Sequence, residues 1–272
     1  MPELPEVETV KNSLKKHLLN RTIKSIDILY PKMILTPLNE FYILEGATII
    51  DIKRKGKFLI FLFNNHKALI SHLRMEGKYN IKTNENINKH EHVIFYFKDF
   101  NLRYQDTRKF GRMYLYKKEE AFNNKPLNAL GYEPWDDKLD IDYLKEKYKK
   151  ITKPIKEVLL DQSIIVGIGN IYADEILFLS KINPYKKPNE LDDNELNDII
   201  KNTRYVLECA IKKGGTTIRT YTSSEGVHGR FQQDLLVHNQ EYCKKCNSKI
   251  EVVRIGGRST YYCPNCQKNC QK

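Results

Sequence analysis

The sequence predicts an α+β chain with more than one folded unit, and three observations carry that prediction. Short β-type runs at regular spacing fill the first half, amphipathic helical periods fill the second, and two CxxC pairs lie near the end. A length of 272 residues suits two compact units plus a small appendage. With 40% hydrophobic and 29% charged residues, the composition is that of a globular protein and excludes a disordered or fibrous one.

Over residues 5–19, Val7, Val10, Leu14 and Leu18 recur at helical spacing, and Glu6 and Glu8 sit in the first turn, where acidic groups favour the helix dipole. Runs rich in Ile, Phe, Tyr and Leu follow around residues 23–29, 47–53, 57–63, 67–75, 92–98, 101–105 and 111–116, with turn residues between them. That spacing predicts a sandwich or a barrel-like sheet pair. Beyond Trp135 the period changes, and 140–149, 153–161, 171–180 and 191–213 read as helices. Asn170 and either Asp192 or Asp193 are candidate caps for the last two. The boundary falls near residues 125–138. After Gly214-Gly215, residues 216–230 hold no apolar period and read as a mobile loop. Residues 231–272 form a basic appendage, with seven Lys or Arg against three Asp or Glu. The expected division is therefore 1–130, 131–230 and 231–272.

The formal charge of +12 makes a large polyanion the first partner to consider. No run of about eighteen uncharged apolar residues occurs, and the N-terminus lacks the layout of a signal peptide, so no membrane partner and a cytoplasmic location are expected.

Cys243-x2-Cys246 and Cys263-x2-Cys266 stand sixteen residues apart, the spacing by which two tight turns present four thiolates tetrahedrally to Zn²⁺. Four thiolates leave no open coordination position, so the expected ion is structural. The segment between the pairs has two β-like pieces around Gly256-Gly257 and predicts a hairpin anchored at its base by metal. Some forty residues have too little core to fold alone, so zinc would supply most of the stability. Arg258 sits at the hairpin tip, where its planar fork suits a phosphate, although a solvated surface arginine has the same sequence. Cys270 is a competing ligand that leaves one CxxC pair unexplained, and Cys209, mid-helix, reads as a buried core residue.

The chain opens Met1-Pro2-Glu3-Leu4-Pro5-Glu6-Val7-Glu8-Thr9. A small second residue allows removal of the initiator methionine, which would expose Pro2 as a secondary amine. An α-amino group titrates near ~8 and is partly unprotonated at neutral pH, whereas a lysine, near ~10.4, must first be desolvated. Such an amine can form an iminium with a sugar C1′. The positive charge then acidifies the C2′ proton, so strand scission by elimination follows base removal. Glu3 beside it suits a general acid toward the sugar ring oxygen. Pro and Glu at a helix start are also common helix-entry chemistry.

The opening nine residues resemble the N-terminal signature of the formamidopyrimidine-DNA glycosylase family. The resemblance recurs in Arg54-Lys55-Gly56-Lys57-Phe58, Asp106-Thr107-Arg108-Lys109-Phe110-Gly111, Leu159-Leu160-Asp161-Gln162, Gly167-Ile168-Gly169-Asn170-Ile171-Tyr172 and the terminal zinc ribbon. It implies an N-terminal β-sandwich with flanking helices, a helical domain with a helix-two-turn-helix, and a zinc-finger β-hairpin, with double-stranded DNA bound across the cleft by a monomer. It also implies a bifunctional glycosylase and abasic-site lyase that removes oxidised purines, namely 8-oxoguanine and formamidopyrimidines, and cuts the strand by β,δ-elimination.

By the same resemblance Pro2 is the Schiff-base nucleophile, Glu3 the acid that starts base departure, and Glu6 a support of the same pocket. Lys57 matches a lysine that donates a proton during β-elimination and contacts phosphate. Arg258 matches the zinc-finger arginine that holds the lesion phosphate and serves δ-elimination. Met75, Arg108 and Phe110 resemble the side chains that fill the hole left by an extruded nucleotide, Phe110 as wedge, Met75 as adaptable filler and Arg108 bonding the orphaned base. On pattern alone Met75 and Phe110 are strand residues. Asn170 resembles a phosphate contact at a helix N-terminus, and His90 a backbone contact, with His92 completing only a weak metal pair. Residues 216–230 resemble the loop that covers the extruded base. Three departures stand out: His238-Asn239 where the family often has Tyr-Gly, Lys109 at a common arginine, and Arg74 at a common glycine. Two other readings remain, an oxidised-pyrimidine glycosylase of the same superfamily and a non-catalytic zinc-ribbon DNA-binding protein. Leu4 and residues 106–111 favour the purine branch.

Overall fold

The computed structural model describes residues 1–83, 85–216 and 229–268. The chain falls into two compact units, Met1–Ala129 with Thr216–Gly229, and Leu130–Gly215 with Arg230–Lys272, and each is described by itself.

The first unit begins with α1 (Leu4–Leu18), whose buried stripe is Leu4, Val7, Val10, Leu14 and Leu18. Pro5 suits the first turn because its missing N–H has no intrahelical partner there, and Lys15 and Lys16 place positive charge at the C-terminal end. Next come β1 (Ser25–Ile28), the short α2 (Leu38–Phe41), β2 (Ile49–Lys55), β3 (Phe58–Phe63), β4 (Lys67–His72), β5 (Lys78–Lys82), β6 (Glu91–Tyr96), β7 (Asn101–Gln105) and β8 (Arg112–Lys117). They form two antiparallel sheets, ordered β1-β6-β7-β5 and β2-β3-β4-β8. Ile26, Phe95, Leu102 and Tyr104 from one sheet join Ile52, Leu59, Phe61, Leu69 and Met113 from the other in a single core. The unit is thus a β-sandwich, with α1 against β2 and β3.

Two differences from the sequence-based expectation have local causes. The run 67–75 does not continue as one strand. It ends at His72, because Arg74 holds φ +54° and its N–H donates to His72 Nδ1 at 2.9 Å, which turns the chain. Strand β5 lies outside the expected runs, since Lys78-Tyr79-Asn80-Ile81-Lys82 offers two apolar side chains and forms a sheet edge, where one face and one flank stay wet.

The second unit contains α3 (Ile141–Tyr148), α4 (Ile155–Leu159), α5 (Asn170–Leu179), α6 (Asp193–Lys212) and the hairpin β9 (Glu251–Ile255) and β10 (Arg258–Tyr262). Asp192 caps α6 in a reciprocal box, accepting from Glu195 N at 2.9 Å while Glu195 Oε2 accepts from Asp192 N at 3.0 Å. Helix α5 is buried on nearly every side, packed by α4, α6 and β10. Its cap is not Asn170: Gly169 holds the N-cap position, and Asn170 is the first helical residue. Cys209 is half-buried rather than a core residue, on the flank of α6. No described helix is long and apolar enough to cross a membrane.

Candidate active site and zinc centre

At the start of the first unit Pro2 is buried, Glu3 is 3% exposed and Glu6 is fully enclosed. The Glu6 carboxylate organises this end of α1. Its Oε2 accepts from Glu3 N at 2.9 Å, and its Oε1 accepts from Thr216 N at 2.8 Å and from Thr216 Oγ1 at 3.1 Å. Thr216 opens the segment expected to cover the base; residues 217–228 lie outside the described residues. Two residues further on, Glu8 pairs with Lys11 and with Arg54 Nε, the latter at 2.8 Å. Burial alone would raise the Glu8 pKa, but the hydrogen bonds and charges of Lys11 and Arg54 outweigh it and keep the carboxylate ionised. Arg54 also donates from Nη1 to Gly56 O at 3.0 Å, so the same guanidinium ties α1 to the β2–β3 turn that carries Lys57. Lys57 is 5% exposed, unlike the solvated lysine usual in a hairpin turn.

His72, opposite Phe58 across β3 and β4, belongs to none of the motifs the sequence singles out. Burial, with the charges of Arg74 and Lys57 adding to it, pushes its imidazole down to about 3, so the ring is neutral. Since Nδ1 accepts from Arg74 N, the proton sits on Nε2. Its one signal in the sequence is its place at the end of a strand whose centre, Ala68-Leu69-Ile70, is apolar.

Met75 lies half-buried in the turn after His72, and Arg108 and Phe110 lie exposed between β7 and β8. None of the three is a strand residue. The Arg108 guanidinium stands 4.7 Å from the Phe110 ring centroid. Asp106, fully buried, shapes that loop by accepting from Arg108 N at 3.0 Å and from Gly111 N at 2.8 Å. Lys109 takes a left-handed φ of +57°, and its ammonium lies 4.7 Å from the Tyr30 ring centroid. His90 is half-buried in the turn before β6, and its carbonyl accepts from Asp106 N at 3.0 Å. His92 does not join it in a metal site: its Nε2 lies 2.7 Å from Asp106 O, and the described residues hold no cluster of three possible ligands that includes it.

In the second unit Gln162 frames the turn ahead of α5, accepting from Gly167 N and donating to Ile168 O, both at 2.9 Å. Asn170 then spends its amide on the hairpin, donating from Nδ2 to Ser259 O at 2.8 Å. That bond joins the helix start to the residue next to Arg258. Arg258 itself is exposed, directly after Gly256 and Gly257, whose positive φ values of +55° and +75° allow the two-residue reversal. It borders a cleft of 560 Å³ that Lys150, Lys153 and Glu157 also line.

Beneath the helix start lies a buried network with no signal in the sequence. Lys156 Nζ donates to Asp174 Oδ1 at 2.5 Å and to Asn170 O at 2.8 Å, and Asp174 Oδ2 lies 2.6 Å from His238 Nδ1. The adjacent Glu175 accepts three backbone N–H bonds, from Leu236, Val237 and His238, at 2.8, 3.0 and 2.9 Å. Two consecutive carboxylates of α5 therefore hold the chain where it enters the zinc ribbon. Asn239 follows in a left-handed conformation, φ +59°, which explains how asparagine serves at a position where glycine is common. Lys156→Met would strand Asp174 in the interior without its cation, and we expect a loss of about 3–5 kcal/mol in denaturant unfolding. An unchanged midpoint would show that the pair contributes nothing.

The four thiols of Cys243, Cys246, Cys263 and Cys266 lie within 4.8 Å of one another. Their contacts include Cys243 with Cys266 at 3.8 Å and Cys246 with Cys263 at 3.5 Å. Four sulfurs held ~2.3 Å from a tetrahedral zinc stand roughly 3.8 Å apart, so the set fits one structural ion. Among the described residues no other such cluster occurs, and Cys270 lies outside them.

Three stretches match known families. Residues 1–113 match the formamidopyrimidine-DNA glycosylase N-terminal domain, residues 130–222 the formamidopyrimidine-DNA glycosylase H2TH domain, and residues 240–269 the zinc finger found in FPG and IleRS. A formamidopyrimidine-DNA glycosylase of Oceanobacillus iheyensis is 48% identical over 278 residues, covering 100% of this chain and 99% of that protein. A Lactococcus lactis FPG mutant, solved with DNA containing Fapy-dG, is similar with TM-score 0.94 and 40% identity, covering 98% of this chain and 100% of that one. The wild-type Lactococcus lactis protein, solved with DNA containing an oxidised pyrimidine, is similar with TM-score 0.92 and 39% identity over the same shares.

Proposed function

The chain belongs to the formamidopyrimidine-DNA glycosylase family, and from that premise we propose that this DNA glycosylase excises oxidised purines from duplex DNA and then cuts the strand itself. The observation that carries the reading is the buried Pro2-Glu3 pair at the start of α1, where a carboxylate 3% exposed adjoins the residue whose amine the reaction needs. With Met1 removed, the Pro2 nitrogen uses its lone pair to bond C1′ of the damaged nucleotide. Glu3 supplies a proton to the ring oxygen as the C1′–O4′ bond breaks. The C1′–N bond to the base breaks with the base taking that electron pair, and the base picks up the proton that the Pro2 nitrogen releases on becoming an iminium. The product is an iminium between Pro2 and the opened sugar. Loss of the C2′ proton then expels the 3′ phosphate, and a second elimination expels the 5′ phosphate.

The remaining residues take supporting roles. Glu6 holds the Glu3 backbone and Thr216 in register, so the acid and the first residue of the covering segment share one carboxylate. Lys57, fixed through the Arg54–Gly56 bond, donates a proton during the first elimination and meets a phosphate nearby. Arg258 grips the lesion phosphate and serves the second elimination; Asn170 and His90 contact backbone. Met75, Arg108 and Phe110 occupy the space that the extruded nucleotide leaves.

Borohydride reduction during turnover tests the scheme directly. We expect a permanent protein–DNA adduct whose cross-linked peptide begins at Pro2, because reduction traps an iminium and nothing else in the scheme. No adduct from a duplex that the protein demonstrably cuts would refute the Pro2 assignment, and no cutting at all would favour the non-catalytic reading. A second substrate reading has one specific support, the relative solved with an oxidised-pyrimidine lesion. Parallel single-turnover rates on 8-oxoguanine, a formamidopyrimidine and an oxidised pyrimidine decide between the branches, and faster excision of the pyrimidine would overturn the assignment to purines.

A further inference from the structure

Tyr104 on β7 is fully buried, and its hydroxyl has no hydrogen-bond partner among the described residues. Leaving such a group unpaired costs about 1–3 kcal/mol, and phenylalanine would fill the same ring space without that cost. The hydroxyl therefore needs another reason to be there, and its surroundings supply one.

The ring is held edge-on by Tyr79, with centroids 5.1 Å apart. Its oxygen projects between two turns. A Cβ built on Gly77 would stand 2.1 Å from Tyr104 Oη, and one built on Gly111 would stand 1.8 Å from it. Both separations are far inside van der Waals contact, so each glycine backbone already rests on this one atom, and no larger residue fits at either place. Gly77 closes the turn that carries Met75, its N–H donating to Leu73 O at 2.9 Å. Gly111 closes the loop that carries Arg108 and Phe110, its N–H donating to Asp106 Oδ2 at 2.8 Å. A second tie joins the same two turns, since Thr107 Oγ1 donates to the Glu76 carboxylate. Burial, with the Asp106 charge adding to it, raises the Tyr104 pKa well above the usual phenol range, so the spacer is neutral at any working pH.

We propose that Tyr104 is a positioning residue whose hydroxyl sets the separation of the Met75 turn and the Arg108–Phe110 loop, so that the three side chains enter the duplex as one rigid wedge. This rests on the assignment of those three side chains to the vacated space. Removing the hydroxyl leaves the ring and its packing in place but opens a gap between the two glycines, and each turn then settles independently. The penalty falls on the step the wedge assists, extrusion of a paired base, and not on the chemistry at C1′.

The test compares wild type and Tyr104→Phe on one lesion in two settings, fully paired and inside an unpaired bubble, where extrusion costs little. We expect an unchanged or higher melting temperature for the variant. Single-turnover excision should fall about ten- to a hundredfold on the paired duplex, the order that misplacement of a group costs. Bubble excision should stay within about twofold of wild type, because the unstacking cost is already met there. Thr107→Val, which cuts the second tie without touching the core, should show the same selective defect in weaker form. Met75→Ala and Phe110→Ala run alongside. If these lose paired-duplex excision while Tyr104→Phe does not, the coupling is wrong; if they also keep it, the wedge assignment fails and takes the coupling with it. An equal loss on both substrates in Tyr104→Phe would likewise overturn the proposal, since a general structural defect does not distinguish them.

Discussion

Glu3→Gln will leave the protein folded and slow base excision by about 10²–10⁴-fold, the usual contribution of a positioned general acid. The substitution is nearly isosteric. The bond that Glu6 accepts at this end of α1 comes from the Glu3 backbone N–H, which the variant keeps, and so do the two bonds from Thr216. Glu3 is 3% exposed and its side chain accepts the Glu6 backbone N–H in the α1 capping box, a bond that the glutamine side-chain oxygen can still accept, so the fold should hold. A lower rate with an unchanged melting temperature then reports chemistry alone. A preformed abasic site supplies the internal control: its base is already gone, so the variant should still cut it and still be trapped by borohydride through Pro2. Excision within threefold of wild type would remove Glu3 from the acid role, and loss of abasic-site trapping would mean that the change had disturbed the amine.

Chelation of the metal, or Cys246→Ala, should abolish tight lesion-duplex binding while leaving most of the helical structure intact. Structural zinc contributes roughly 10–16 kcal/mol to small ribbons of this kind, far more than their own core supplies. Here that core is Val237, Cys243, Ile250 and Cys263 against Phe178 of α5, with two of the metal ligands among its members. Without the ion the β9–β10 hairpin loses the anchor at its base, and Arg258 at its tip no longer has a fixed place. Helices α3 to α6 keep their own buried faces, including Leu144, Ile176, Leu196, Ile199 and Leu207. The measurements are zinc content, far-ultraviolet circular dichroism and duplex affinity on the same samples. Full affinity in a zinc-free protein would show that Arg258 and the hairpin do not hold DNA.

Much of this molecule was legible in the residues because the signals are local. The period of Val7, Val10, Leu14 and Leu18 placed α1, Asp192 was one of two candidate caps for the last helix and is its cap, and the paired CxxC spacing marked the metal centre. Misreadings arose where side chains act at a distance in sequence. Asn170 resembles a cap in any local reading, yet its amide bonds Ser259, eighty-nine residues away. Met75 ends an apolar run that reads as strand, but a left-handed Arg74 turns the chain first. Lys156 looks like any helix-surface lysine, and only packing reveals that it is enclosed against Asp174.

The sequence by itself placed α1, the long helices and every sandwich strand but β5, the metal ligands and, through resemblance, the chemistry to expect at Pro2 and Glu3, because periodicity, capping and ligand spacing act within a few residues along the chain. Tertiary structure alone decided that Lys57 is buried, that Glu6 bonds Thr216, that Asp174 and Glu175 hold the entry to the ribbon, and that one tyrosine oxygen lies close to both Gly77 and Gly111. Those facts depend on which side chains share an enclosed volume, where low dielectric and close packing give a polar group its strength, and that volume exists only once distant segments have met.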